Sequence, residues 1–480
     1  MEYIMDHEGK MYRKFFEDIC SIPHVSFNEK ALSDYVVKFA QDRGLWYHQD
    51  EVWNVIVKKP ASPGYEDHAP VMIQGHLDMV GVKLPESDHN FDTDPIPLYI
   101  EDGFIRSHGT TLGADCGHGL SYMLSVLDDK TLKHPPIEAL FTVQEEVGVG
   151  GPQHLDYSLL SARRLIFTDS MEEGRPELST TTVVGGDLIR DIEFENDGSD
   201  GYKIVIDGLQ GGHGAVNIND GRGNAIHLMA RVALHMMKQT DIRIGCFNGG
   251  DLRNNIPKFA ELCFTGNIAK ADAEKLVAEM DEIFKFEFRE HDPGVDVRIE
   301  ECGQIDKTLS AEQSRSLVEW LLLIPTAACV TSLQDPSFPW TSRNLGTLRL
   351  EEEKAVVGYQ YRSNMKSHIE MLMDQMEILN GLYDVTWEKA FGYAGYVVPP
   401  GTPMYNAYDE VYRELTGKGL VDKHIHAGTD VGTIIDGMGG NIDVVGIGPN
   451  TYKFHTPFEE MELESYDRAY QCIIKVLEKL

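Results

Sequence analysis

At 480 residues the chain is longer than one hydrophobic core usually serves, which points to two domains, and its 42% hydrophobic and 25% charged residues describe an ordinary globular composition. Its 43 Lys and Arg against 77 Asp and Glu leave a net charge of −34, which repels phosphate backbones and anionic lipid and argues against nucleic acid or a membrane as partner. No apolar run approaches the ~20 residues of a membrane span, and the N-terminus lacks the basic and apolar regions of a signal peptide, so a cytoplasmic protein is expected.

Taken in chain order, helical patterns over 8–20 and 28–43 come first, the second ending at Gly44 as a helix cap would. Strand-like runs follow at 52–57, 71–74, 137–143 and 164–168, and the segment 117–127 reads as a helix between two of them. This alternation predicts an α/β fold with a largely parallel sheet and helices on both faces. Between 187 and 395 the pattern changes: strand and helix signals recur at 202–206, 224–237, 273–286, 355–361 and 367–380, with no metal-ligand candidate in a matching context. The first pattern returns at 440–448, a strand that leads to His455, and an amphipathic helix near 462–479 closes the chain. The expected domains are therefore a discontinuous one, 1–186 with 396–480, and an inserted α/β one, 187–395.

Candidate ligands sit just after the apolar runs of the first domain. They are His76 and Asp78 after 71–75, Asp115 in Thr-Thr-Leu-Gly-Ala-Asp, Glu145 and Glu146 after 139–144, and Asp169 after 165–168; His455 arrives near the other end. Strand ends are where ligands converge in open α/β sheets. A lone His-x-Asp is usually a loop pair and adjacent glutamates are usually a solvated face, but this pair follows an apolar run and precedes Val-Gly-Val-Gly-Gly. One imidazole and one carboxylate per ion, with a further carboxylate shared, suits two divalent cations such as zinc or manganese. The seven cysteines are dispersed without Cys-x-x-Cys spacing and read as reduced thiols; Cys116, beside Asp115, reads as a small space-filling side chain.

In their order, Gly75-His76-Leu77-Asp78, Gly109 to Asp115, Glu145-Glu146-Val-Gly, Asp169-Ser170 and His455 resemble the co-catalytic zinc peptidases of the aminoacylase and dipeptidase superfamily, and within it the aminoacyl-histidine, or cytosol non-specific, dipeptidases. The likeness runs essentially the whole chain, including Gly211-Gly212-His213, Arg253-Asn254-Asn255 and Tyr361-Arg362-Ser363. It implies that His76 and Asp169 complete one metal site, Glu146 and His455 the other, and Asp115 bridges, with a water shared between the two ions. Zinc is the expected metal, with manganese or cobalt as alternatives. Glu145 is then the general base, and Asp78 the carboxylate that orients the His76 imidazole.

The inserted domain is called the lid in that family, and the likeness implies that it supplies substrate contacts. His213 would polarise the scissile carbonyl, Arg362 would grip the free carboxylate of a short peptide in a planar two-point contact, and Asn254 would assist. The expected activity is hydrolysis of dipeptides, Xaa-His or of broader specificity. Removal of an N-acyl group from an amino acid by the same chemistry stays open, as does pairing of two chains into a homodimer. The chain departs from the family after the lid histidine (Gly-Gly-His-Gly-Ala), after the last ligand (Thr-Pro-Phe-Glu-Glu) and at His426-Ala-Gly-Thr-Asp430, without losing a proposed ligand or base.

Overall fold

The computed structural model of the chain describes residues 3–480. Contacts divide these into two compact units, the first formed by the chain up to Thr180 together with Ala394–Ile425 and Thr429–Leu480, the second by Thr181–Tyr393 with His426–Gly428. Among the described residues no helix is long and apolar enough to cross a membrane.

The first unit is built on a six-stranded sheet. Val71–His76 pairs in parallel with Ile137–Thr142 on one side and Arg164–Phe167 on the other, and Asp443–Gly446 adds in parallel to the latter. Val55–Lys59 and Trp46–Gln49 finish the opposite edge antiparallel. The apolar runs of the central strands are continuous because both faces are buried, and successive residues serve different cores. Val71, Ile73, Ala139 and Ile166 point into a core shared with the helices Met11–Cys20, Lys30–Arg43, Ala114–Asp128, Pro403–Thr416 and Leu463–Lys479, whereas Met72, Leu140, Leu165 and Phe167 meet Val431 and Ile434 of the short helix Asp430–Gly437 on the other face. Helix Leu463–Lys479 buries Tyr466, Ala469, Cys472, Ile473 and Val476, the three-to-four-residue spacing of one helical face. The cap expected at Gly44 is left-handed, with φ of 66°.

The second unit carries a nine-stranded sheet, antiparallel throughout, with the helices Ala225–Met237, Lys270–Glu287, Ala311–Leu323 and Lys366–Leu382. Helices Ala225–Met237 and Ala311–Leu323 bury Met229, Val232, Leu317 and Trp320 against Ile204, Phe247 and Leu262 of the sheet. This unit begins at Thr181 rather than at 187, because Thr182–Asp191 pairs along its full length with Lys354–Ser363 and nearly so with Val385–Tyr393. It ends at Tyr393 rather than 395 and takes in three residues from a distant loop, His426–Gly428, which no local pattern marks.

The first helix is tied to the last through one carboxylate. Asp467 accepts from Lys10 Nζ at 2.6 Å, Tyr12 Oη at 2.9 Å, and Arg13 Nε and Nη2 at 3.0 and 2.7 Å. Arg13 is only 7% exposed, so Asp467→Ala leaves a buried guanidinium without its carboxylate. A loss of about 2–3 kcal/mol is expected from charge-assisted hydrogen bonds, read as a lower urea midpoint. Burial opposes the Asp467 charge, but Arg13, Lys10 and Tyr12 hold its carboxyl below the ordinary range. Its contribution is therefore present above the ordinary aspartate pKa of about 3.9 and fades as the pH falls below it, so the wild-type advantage over Asp467→Ala should narrow in acid.

Candidate metal centre

The parallel strands of the first unit end on one edge. His76, the last residue of its strand, stands opposite Thr142 in register, and Gln74 stands opposite Phe167, so the loops that start there carry His76, Glu145, Glu146 and Asp169 to the same place. Asp115 lies at the start of helix Ala114–Asp128, in non-helical backbone, and its peptide bond to Cys116 is cis. His455 sits in a loop with φ of 61°, the left-handed region that non-glycine residues rarely adopt.

Asp115 lies between the two imidazoles. Its Oδ1 is 3.0 Å from His76 Nε2 and its Oδ2 is 3.2 Å from His455 Nε2. On the outer sides, Asp169 Oδ1 lies 3.6 Å from His76 Nε2 and Glu146 Oε1 lies 3.0 Å from His455 Nε2. Two groups thus have their ligand atoms within 4.8 Å of one another, Asp115 with Glu146 and His455, and His76 with Glu145 and Glu146; a third joins His76, Cys116 and Asp169. Burial first, then the Asp115 charge, raises the carboxyls of Asp169 and Glu146, and burial raises that of Glu145 most of all. Burial also works against charge on the imidazoles, yet the surrounding carboxylates lift His76 well above its ordinary value and His455 to about 11. Asp169 Oδ1 is buried with no hydrogen-bond partner. Clustered carboxylates that lift His76 and His455, together with a buried anionic oxygen that accepts no hydrogen bond, are the donor set that divalent ions satisfy. Cys116 is 1% exposed, and burial, then the Asp169 charge, raises its thiol far above the ordinary range, which suits a buried neutral thiol.

The part expected of Asp78 is divided. The His76 Nδ1–H donates to the Asp78 main-chain carbonyl at 2.9 Å, whereas the Asp78 carboxylate lies 3.6 Å away. That carboxylate instead accepts from the backbone N–H groups of Glu145 and Glu146, at 3.0 and 3.2 Å, and from Ser26 Oγ at 2.8 Å. The backbone of residue 78 aims the imidazole and its side chain fixes the double-glutamate turn, in which Gln144 has φ of 56°.

Two buried carboxylates at this edge escape sequence reasoning. Asp430 is 2% exposed, accepts from Thr142 Oγ1 and, at 3.3 Å, from Gln74 Nε2, and is pushed up to about 7 chiefly by burial. Glu459 is 3% exposed and accepts from four consecutive backbone N–H groups, Leu112 and Gly113 at Oε2 and Ala114 and Asp115 at Oε1, at 2.8 to 3.4 Å. A carboxylate that binds main chain has no ligand spacing, so the Thr-Pro-Phe-Glu-Glu stretch registers in the sequence only as a departure.

The other expected contacts lie in the second unit. His213 occupies a two-residue ladder, paired with Asn255, and its Nδ1 accepts from Ala215 N at 3.3 Å, which puts the proton of the neutral ring on Nε2. Burial, then the Arg362 charge, lowers its pKa to about 4. Asn254 is exposed on the neighbouring turn, its carbonyl accepting from Gly214 N at 2.6 Å. Arg362 is 5% exposed and donates through Nη2 to Gln360 Oε1 at 3.3 Å; its Nε has no partner and no carboxylate pairs with it among the described residues. His426, not singled out as a site residue, is 8% exposed, bonded through Nε2 to Ser342 Oγ at 2.7 Å, and lowered to about 3 by burial and then by Arg362.

Because Glu459 holds the backbone that ends in Asp115, Glu459→Gln puts an NH2 group against two amide donors. A fall in metal affinity of roughly 10–100-fold is expected, as for other residues that orient ligands. Chelator competition measures it; an unchanged affinity alongside a lowered melting temperature would assign Glu459 to folding alone.

The family described as Peptidase family M20/M25/M40 matches residues 72–479. Among curated proteins, the chain is 32% identical over 470 residues to the cytosol non-specific dipeptidase of Escherichia coli (strain K12), covering 97% of this chain and 96% of the relative. Among solved structures it is similar to the aminoacylhistidine dipeptidase of Vibrio alginolyticus, with a TM-score of 0.85 and 30% identity over 98% of this chain and 96% of that one. The Saccharomyces cerevisiae di-peptidase Dug1p shares the fold, with a TM-score of 0.53 and 12% identity over 98% and 96% of the two chains. The chain belongs to peptidase family M20/M25/M40.

Proposed function

We propose that the chain is a metal-dependent dipeptidase of broad or Xaa-His specificity, as its relatives' names describe them. The observation that carries this reading is Asp115, whose two carboxylate oxygens lie 3.0 and 3.2 Å from two imidazoles, each flanked by a further carboxylate. His76 and Asp169 would hold one divalent ion, Glu146 and His455 the other, and Asp115 both. The mixed imidazole and carboxylate set favours zinc, with manganese or cobalt as alternatives. Bound there, the ions polarise the peptide carbonyl and bring the pKa of water toward neutrality.

The remaining steps belong to the protein. Glu145, held through its backbone N–H by Asp78, takes a proton from the attacking water on its carboxylate and returns it to the leaving amine; burial raises its carboxyl above the ordinary glutamate range. His213, neutral with its proton on Nε2, has the form required to donate to a developing oxyanion. Arg362, a buried cation without a carboxylate of its own, takes the C-terminal carboxylate of the substrate, and Asn254 assists from the turn beside His213. The seven unpaired cysteines suit a reducing compartment, and the cytosol named for the E. coli relative is the proposed location.

A panel of dipeptides and N-acetyl amino acids, run on protein reconstituted with zinc, manganese or cobalt, tests the reading; cleavage of the acyl amino acids alone would replace it with an acylase. Glu145→Gln should keep both metals by elemental analysis and lose roughly 10²–10⁴-fold in kcat. Arg362→Ala should lower kcat/KM for a dipeptide by about 10–100-fold, the worth of a charge-assisted hydrogen bond, while scarcely changing it for the same dipeptide amidated at its C-terminus. Equal losses on both substrates would make Arg362 a support of the fold.

A further inference from the structure

Beside Glu146 the first unit holds a recess of about 380 Å³ lined by Val25, Phe27, Met79, Gly81, Phe91 and Val147, with Ser26 at its margin. We propose that this recess receives the side chain of the N-terminal residue of the dipeptide and selects apolar side chains there. The inference rests on the dipeptidase reading and assigns it a specificity that neither relative's name carries.

Distance sets the argument. In a dipeptide the side chain of the first residue branches from the Cα bonded directly to the scissile carbonyl carbon, about 1.5 Å away. If Glu146 holds an ion that polarises that carbonyl, the first residue's side chain starts close to Glu146, and this recess borders Glu146. Apart from Glu146 and Ser26, the side chains of its walls are aliphatic and aromatic. Ser26, its one hydroxyl, already donates to Asp78 Oδ2 at 2.8 Å, and so supplies no donor to a guest. With Glu146 engaged by that ion, the side chains of the recess leave a charged guest without a partner for the water it loses, whereas a Leu or Phe guest gains by burial.

The recess is also built rather than incidental. Val25 and Met79 form an isolated parallel bridge, and Met79 N donates to the His24 carbonyl at 3.1 Å, which ties its two walls together. At Gly81 a Cβ would meet Val25 Cγ1 at 2.8 Å and the Phe91 ring at 3.2 Å, so only glycine lets those side chains close the floor. At the rim, Phe27 is 66% and Val147 47% exposed. Phe27 holds φ of 70°, an unusual backbone for an aromatic residue that presents its ring to solvent at the mouth of the cavity.

The test uses the full chain loaded with metal and compares Leu-Gly, Phe-Gly and Lys-Gly by kcat/KM, read as ratios within each protein so that a general loss cancels. The wild type should prefer Leu-Gly over Lys-Gly by about 10–200-fold, the range an apolar pocket supplies. Phe27→Asp is suited to the left-handed backbone, which Asp tolerates better than most residues, and being exposed it should fold. It should cut the Leu-Gly to Lys-Gly ratio at least tenfold. Phe91→Ala enlarges the floor and should shift preference from Leu-Gly toward Phe-Gly. If the wild type cleaves dipeptides with no apolar preference, or both variants keep the wild-type ratios, the recess is not the specificity site and the dipeptidase reading stands. If the wild type cleaves no dipeptide with any metal, the reading fails and this inference fails with it.

Discussion

Charge balance in a buried space governs this protein. Asp115, Glu145, Glu146 and Asp169 share one edge of the first unit's sheet with only two imidazoles among them. Like charges brought this close and away from water repel strongly, and the consequences are visible throughout. Burial lifts three of the carboxyls, the imidazoles are raised by the fields around them, and one buried Asp169 oxygen accepts no hydrogen bond. Divalent cations meet that requirement as no side chain among the described residues does.

What holds such a cluster together is mostly main chain. Asp78 spends its carboxylate on the amides of Glu145 and Glu146 and its carbonyl on His76, and Glu459 spends its own on the four amides leading to Asp115. Carboxylates that accept from backbone N–H groups are strong anchors, and here each one fixes the backbone of a candidate ligand. The apolar wall formed by Val25 and Met79 belongs to the same framework, since Ser26 bonds to Asp78, so the proposed specificity surface and the metal-holding loops share their supports.

The second unit solves a different problem. Its antiparallel sheet gives stable faces and leaves short connections free to vary: His213 stands in a two-residue ladder, Gly214 and Asn254 on the turns beside it, pinned by Asn344, whose amide donates to the carbonyls of Arg253 and Asn255 at 2.9 Å. Arg362 is buried among neutral partners and depresses the pKa of both His213 and His426. A buried guanidinium that no carboxylate neutralises is costly on its own, and it is explained if an anion completes it.

Much of this was legible in the residues. Strand ends announce themselves because a strand buried on both faces must be apolar, and a His, Asp or Glu just beyond such a run stands out; His76, Glu145, Glu146 and Asp169 are visible that way, whereas Asp115 starts a helix and His455 lies in a loop, and the last helix shows through its amphipathic spacing. Other features depend on contacts between residues far apart in the chain. Asp78 could be seen as a neighbour of His76, but whether its carbonyl or its carboxylate does the orienting depends on a turn arriving from residue 145. Glu459, Asp430 and His426 carry no spacing signal, since their partners are backbone amides or side chains brought up by other elements, and the second unit's claim on His426–Gly428 is a matter of packing alone. Sequence by itself determined the residue types and the order of the candidate ligands, because residue type and strand pattern are local; tertiary structure decided which oxygen faces which nitrogen and which apolar residues lie beside Glu146, because those distances are set only when separate loops meet.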